Sequence, residues 1–146
     1  APKDAQPGLF YQYYEKRLSR LDELKQLSPL REGRIATGDY LDLSHRPDSF
    51  AFVFTGYLYV AQEGAYTLLL RSDDGARVYL HDQLVVDNDG SHSARTREGL
   101  MALEAGWHPI KVEYFDDYSG EKLQIVLRDQ SGNNSKLLPN NFVHQK

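Results

Sequence analysis

From Phe50 to Arg128 the sequence repeats one pattern: a short apolar or alternating run, a turn signal, then another run. The runs are Phe50–Val60, Ala65–Arg71, Arg77–Leu80, Gln83–Asp87, Thr96–Leu103, Trp107–Phe115 and Lys122–Arg128. Between them stand Gln62-Glu63-Gly64, Asp73-Asp74-Gly75, His81-Asp82, Asp89-Gly90, Glu104-Ala105-Gly106 and Ser119-Gly120. Alternation at period two suits a half-buried strand, while Gly and Asp take turn dihedrals at little cost. Turns at intervals of roughly 8–12 residues predict an all-β chain, an antiparallel sandwich or barrel. Ten tyrosines and six phenylalanines in 146 residues fit that class.

The flanks are less regular. Gly8–Glu15 is aromatic and alternating and reads as a first strand, preceded by a linker or tail over residues 1–7. Leucines at 18, 21, 24 and 27 make Ser19–Leu27 the only helical candidate, short or 3-10 in type and ending before Pro29. Arg34–Leu43 reads as irregular or as an edge strand, and Leu137–Lys146 as a tail packed through Leu137, Leu138 and Phe142. Residues 8–146 are long enough for a single domain with its own core.

Several functions are excluded by composition. The formal net charge is −4 with no dense basic cluster, which argues against nucleic acid. No apolar run is long enough to span a bilayer, and the absence of cysteine rules out thiol chemistry. His81, His92 and His108 lie far apart in sequence and lack zinc spacing. No serine sits in a nucleophile elbow and no glycine-rich phosphate loop is present, so the chain is not expected to be an enzyme.

Asp73 and Asp74 are adjacent carboxylates in a turn between two strands. Asp-Asp-Gly is good turn chemistry, and on spacing alone that reading comes first. The second reading is a hard cation, since two neighbouring carboxylates repel each other and Ca²⁺ takes about 6–8 oxygen ligands. A fainter pattern, Asp87-Asn88-Asp89-Gly90-Ser91 with Glu98, echoes a calcium-binding helix–loop–helix. His92 stands where that loop needs glycine and no helices flank it, so it reads as strand end and turn. Trp107 sits in a strand and is expected at the core or its shoulder.

Four stretches, taken in order, resemble the PA-fourteen module, a β-sandwich named after a region of anthrax protective antigen. They are GLFYQYYE at 8–15, FVFTGYLYVAQEGAYTLLLRSDDGARVYL at 52–80, LVVDNDGSH at 84–92 and LEAGWHPIKVEYF at 103–115. The resemblance covers nearly the whole chain. It implies a non-catalytic, lectin-like accessory domain that binds a glycan or oligosaccharide, attached to other domains of a larger glycan-processing or adhesion protein. An extracellular, cell-surface or periplasmic location, a monomer and no membrane insertion go with it. In sugar-binding members two aspartates joined by a cis peptide hold Ca²⁺, and the ion takes sugar hydroxyls. Carried onto this chain, the metal ligands are Asp73, Asp74 and Asp116, and the ligand-binding residues are Asp73, Asp74, Asp117 and Tyr118. Yeast adhesins have an asparagine near the place of Asp116, where this chain has a carboxylate. The acidic pair also occurs in members without sugar affinity, so a structural spacer or protein-interaction domain is the alternative. A single such site implies sugar affinity of about millimolar.

Overall fold

In the computed structural model, which describes residues 2–118 and 120–145, β4 (Phe50–Val60) is the organising strand. Its alternation buries Phe50, Phe52, Phe54, Leu58 and Val60 on one face. It pairs with β9 (Gly106–Asp116) along its whole length, from Phe50↔Asp116 to Val60↔Gly106. On the other side it takes two strands end to end. β2 (Leu9–Glu15) pairs with Phe50–Thr55, and β12 (Phe142–Gln145) pairs at Tyr57 and Leu58. Strands β6 (Gly75–Leu80) and β7 (Gln83–Asn88) follow β9, β3 (Arg31–Ile35) pairs with β2, and β1 (Ala5–Pro7) pairs with β12. The result is an eight-stranded antiparallel sheet.

A second, four-stranded antiparallel sheet runs β11 (Asn134–Leu137), β10 (Lys122–Arg128), β5 (Gly64–Asp73), β8 (Arg95–Leu103). The chain is thus the expected all-β sandwich. Between the sheets lies an aromatic core in which Phe52 stacks on Phe54 with centroids 5.1 Å apart and Tyr13 tilts against Phe52 at 5.0 Å. Burying a side chain of this size contributes roughly 1.5–3 kcal/mol, which makes β4 the main source of cohesion.

The leucine triplet forms a 3-10 turn over Leu21–Gln26. Leu18, Leu21 and Leu24 cover Tyr14, Ala51 and Phe115 on the outer face of the large sheet. Differences from the sequence reading lie at the two ends, where the expected C-terminal tail also forms β12 and the last residue of β11. Residues Ala5–Pro7 are not merely a tail: they add a strand at the edge of β12, with Ala5 opposite Gln145. Their partner lies at the far end of the chain, so no local pattern signals the pairing. Of residues 34–43, read as irregular or as an edge strand, only 34 and 35 belong to β3, and residues 36–49 are irregular. Trp107 is half-buried on the sandwich's shoulder, its ring 5.0 Å from that of Tyr59. Among the described residues, no helix is long and apolar enough to cross a membrane.

Candidate metal and ligand site

Strands that switch sheets build one rim of the sandwich. β5 belongs to the small sheet and β6 to the large one, so Asp73–Gly75 is a corner between them. The chain crosses back at the same end between β7 and β8, and again between β9 and β10. Register fixes the neighbours: Asp73 is opposite Lys122, Gly75 opposite Phe115, and Asp116 opposite Phe50. Three segments distant in sequence therefore meet where the acidic turn lies. The corner is tight, because a Cβ on Gly75 would fall 2.3 Å from a Phe115 ring carbon and 2.9 Å from the Gly90 nitrogen. Glycine is required there by close approach.

Asp73, Asp74 and Asp116 come together, offering carboxylate oxygens within 4.8 Å of one another. The Asp73–Asp74 peptide bond is cis. Asp74 is buried and oriented by two backbone donors: His92 N–H gives to Oδ1 at 2.9 Å and Asp117 N–H to Oδ2 at 2.7 Å. The Ser72 hydroxyl donates to the Asp74 carbonyl at 2.8 Å, and the Tyr114 hydroxyl donates to the Asp73 carbonyl. Buried Asn88 braces the adjoining crossover. Its amide is shared among the Leu70 carbonyl, the Ser72 hydroxyl and the Arg95 carbonyl, while its oxygen accepts from Arg95 Nε at 2.7 Å.

Asp116 is different. It is 0% exposed, and neither carboxylate oxygen has a hydrogen-bond partner among the described residues. Burial pushes its carboxyl up to about 8, reinforced by the charges of Asp74, Asp48, Glu121 and Asp73. Burial and Asp74 also raise Asp73, partly offset by His92 and a backbone bond from Ala94. A buried, unpartnered carboxyl aimed at two others is costly alone and satisfied by a hard cation, which accepts many oxygen ligands in flexible geometry. The donor set fits Ca²⁺: all oxygen, carboxylate-rich and partly desolvated.

Asp117 and Tyr118, expected as sugar contacts, lie just outside this triad. The Asp117 carboxylate accepts from Arg17 Nε at 2.7 Å and from the Ser91 hydroxyl at 2.6 Å, and its carbonyl accepts from Ser49 Oγ at 3.0 Å. Those donors, Ser91 first and then Arg17, hold its carboxyl below the usual range. Tyr118 is 69% exposed, with the Arg17 guanidinium 5.9 Å from its ring centroid. Ser119 lies outside the described residues. The supporting donors around the triad, from Arg17, Ser49, Ser91, His92 and Tyr114, carry no local signal because they come from separate segments.

Other candidates resolve as structure. Asp87 and Asn88 close a strand, and Asp87 Oδ1 accepts the Asp89 N–H at 3.1 Å, an ordinary side-chain turn. His81 and His108, remote in sequence, pair at 2.8 Å, while His108 Nε2 meets the Glu104 carbonyl. No third histidine or carboxylate completes a metal group with them among the described residues.

The model of the PA14 domain matches residues 6–139. This chain belongs to the PA14 domain family. A solved PA14 sugar-binding domain from an RTX adhesin is 25% identical, with a TM-score of 0.74, covering 94% of this chain and 98% of that one. An anti-sigma factor domain-containing protein is 21% identical with a TM-score of 0.79, covering 97% of this chain. This PA14 chain spans 49% of that protein's length. The A domain of epithelial adhesin 9 from Candida glabrata, solved in complex with Galβ1-4GlcNAc, is 11% identical with a TM-score of 0.73, covering 100% and 93% of the two chains. The last two show a shared fold. No match to a curated protein was found.

Proposed function

We propose that this PA14 domain is a calcium-dependent carbohydrate-binding module, non-catalytic and belonging to a larger extracytoplasmic protein. The observation that carries the reading is Asp116: fully buried, without a partner among the described residues, and turned toward Asp73 and Asp74. These three residues would hold the ion. Bound there, Ca²⁺ supplies spare coordination for the vicinal hydroxyls of a sugar. Asp74, clamped by two N–H donors, and the crossover braced by Asn88 keep the site in place before any ligand arrives. A preorganised site loses less freedom on binding. A sugar-binding relative in an adhesin supports the carbohydrate class.

The test is thermal. Millimolar CaCl₂ is expected to raise the melting temperature, Asp74→Asn to remove the increase, and a glycan array to retain the protein with calcium but not with EDTA. A melting temperature indifferent to calcium, with equal glycan retention in EDTA, would contradict the reading. A blank array together with capture of a protein partner would favour the spacer or interaction domain instead.

A further inference from the structure

We propose that His81 and His108 form a transition-metal site, for Cu²⁺ first and Ni²⁺ next, at the end of the sandwich away from the acidic rim. β6 starts at the rim corner with Gly75 and ends at Leu80, just before His81, so the length of that strand separates the two places. The inference therefore stands apart from the calcium reading.

The turn gives the first clue. His81 and Asp82 alone join Leu80 to Gln83, which pair across the hairpin. Their φ values, 51° and 62°, put both in the left-handed region. That is the geometry of a two-residue hairpin loop, where Asn-Gly and Asp-Gly are the preferred occupants. A histidine at the first position departs from local preference, and such departures are expected where a side chain has a role of its own.

The imidazole supplies that role. His81 Nε2 lies 2.8 Å from His108 Nδ1. His81 is exposed, whereas His108 is buried. His108 Nε2 stands 2.7 Å from the Glu104 carbonyl, which can only accept, so that nitrogen carries the proton and Nδ1 is left with a lone pair. Holding the far N–H on a backbone carbonyl is how metal-ligating histidines are commonly oriented. Without a metal, His81 donates its Nε2 proton to the His108 lone pair. With one, that proton passes through solvent to His81 Nδ1, and two lone pairs face the ion. Neither ring changes charge, so no further proton acceptor is required.

The spacing chooses the metal. Two nitrogens bonded at about 2.0 Å and at right angles to each other lie about 2.8 Å apart, whereas a tetrahedral pair lies about 3.3 Å apart. The observed separation suits the right-angled arrangement, which belongs to the tetragonal coordination of Cu²⁺ and Ni²⁺. Of the two, Cu²⁺ binds a given nitrogen set more tightly. No third histidine or carboxylate joins the pair among the described residues, so water fills the remaining positions from the exposed His81 side.

The experiment titrates CuCl₂ and NiCl₂ separately into the protein in calcium-containing buffer by calorimetry, with electron paramagnetic resonance of the Cu²⁺ sample. Cu²⁺ is expected to bind in the range of about 1–100 µM, more tightly than Ni²⁺, with hyperfine coupling to two nitrogens. His81→Asn puts a preferred residue into the turn, so the fold is expected to survive, as thermal melting checks, while Cu²⁺ affinity falls at least about tenfold. His81→Gln serves as a second variant with the same expected loss. His45→Ala, which removes an exposed histidine elsewhere, and Asp74→Asn at the rim are expected to bind Cu²⁺ as the wild type does. No saturable Cu²⁺ binding, coupling to fewer than two nitrogens, or affinity unchanged in a folded His81 variant would overturn the site. Affinity lost in Asp74→Asn would place the ion on the acidic rim and overturn it too. A wild-type melting temperature that ignores calcium would contradict the rim reading alone and leave this site standing.

Discussion

Two acidic clusters in this PA14 domain invite comparison. At the first, Arg77 meets Asp22 at 3.0 Å, Asp87 at 3.1 Å and Asp89 at 3.3 Å. At the second, no lysine or arginine pairs with Asp73, Asp74 or Asp116 among the described residues. Both gather three carboxylates from separate elements, and Asp89 in one is nearly as buried as Asp116 in the other. What separates them is the source of positive charge. The Arg77 cluster carries a cation of its own and clamps the 3-10 turn to β7, which Asp89 aids by accepting the Leu21 N–H at 3.0 Å. Among the described residues the Asp74 carboxylate is oriented by backbone donors, and Asp116 has no hydrogen-bond partner. Acid density alone does not single out a candidate ion site; the rim triad stands apart because no lysine or arginine among the described residues pairs with it.

The largest effect expected from breaking this contrast is at Arg77. Arg77→Ala leaves Asp89 buried without its ion pair, and urea unfolding is expected to show a loss of about 3 kcal/mol regardless of calcium. Next comes calcium itself. At a hundredfold excess over its dissociation constant it should stabilise the wild type by about 2.7 kcal/mol, and Asp74→Asn should lose that gain.

An effect of opposite sign is expected at Asp116. Its carboxyl is raised to about 8 in the fold against 3.8 in the unfolded chain, so the folded state holds its proton over a range where the unfolded state has lost it. The contribution of Asp116 to stability without calcium is therefore full below about pH 4 and falls as pH rises toward about 8. In calcium-free buffer at pH 7, Asp116→Asn should be more stable than wild type, by at least about 1.4 kcal/mol, with a flatter pH profile in denaturant titrations. If Asp116→Asn proved destabilising without calcium, the two clusters would be alike after all. Smallest is Arg17→Ala. Its side chain is 70% exposed, and an exposed ion pair carries little weight, so the calcium-free melting temperature should barely move.

Much of the fold was open to sequence reading, and the part of the site that was not has a physical reason. Period-two alternation in Phe50–Val60 and its successors predicts the sandwich because each strand has one buried face, and the leucine spacing at 18–27 predicts the 3-10 turn. The Asp73-Asp74-Gly75 corner is equally local. Arg77 lies within the same stretch, yet its partners Asp22 and Asp89 come from other elements, so nothing in the sequence says which acids it neutralises. The same holds for Asp117, whose carboxylate is taken by Arg17, a hundred residues away, and by Ser91. His81 and His108 pair only because β6 and β9 are neighbours. Strand identity is written in nearest neighbours; the company a carboxylate keeps is decided by sheet order.

Calorimetric titration of the calcium-free protein with Ca²⁺ tests the central claim most directly. The account predicts saturable binding of a single ion per chain at neutral pH, abolished by Asp74→Asn and preserved in Arg17→Ala. No saturable heat at millimolar Ca²⁺, or binding that survives Asp74→Asn, would contradict it.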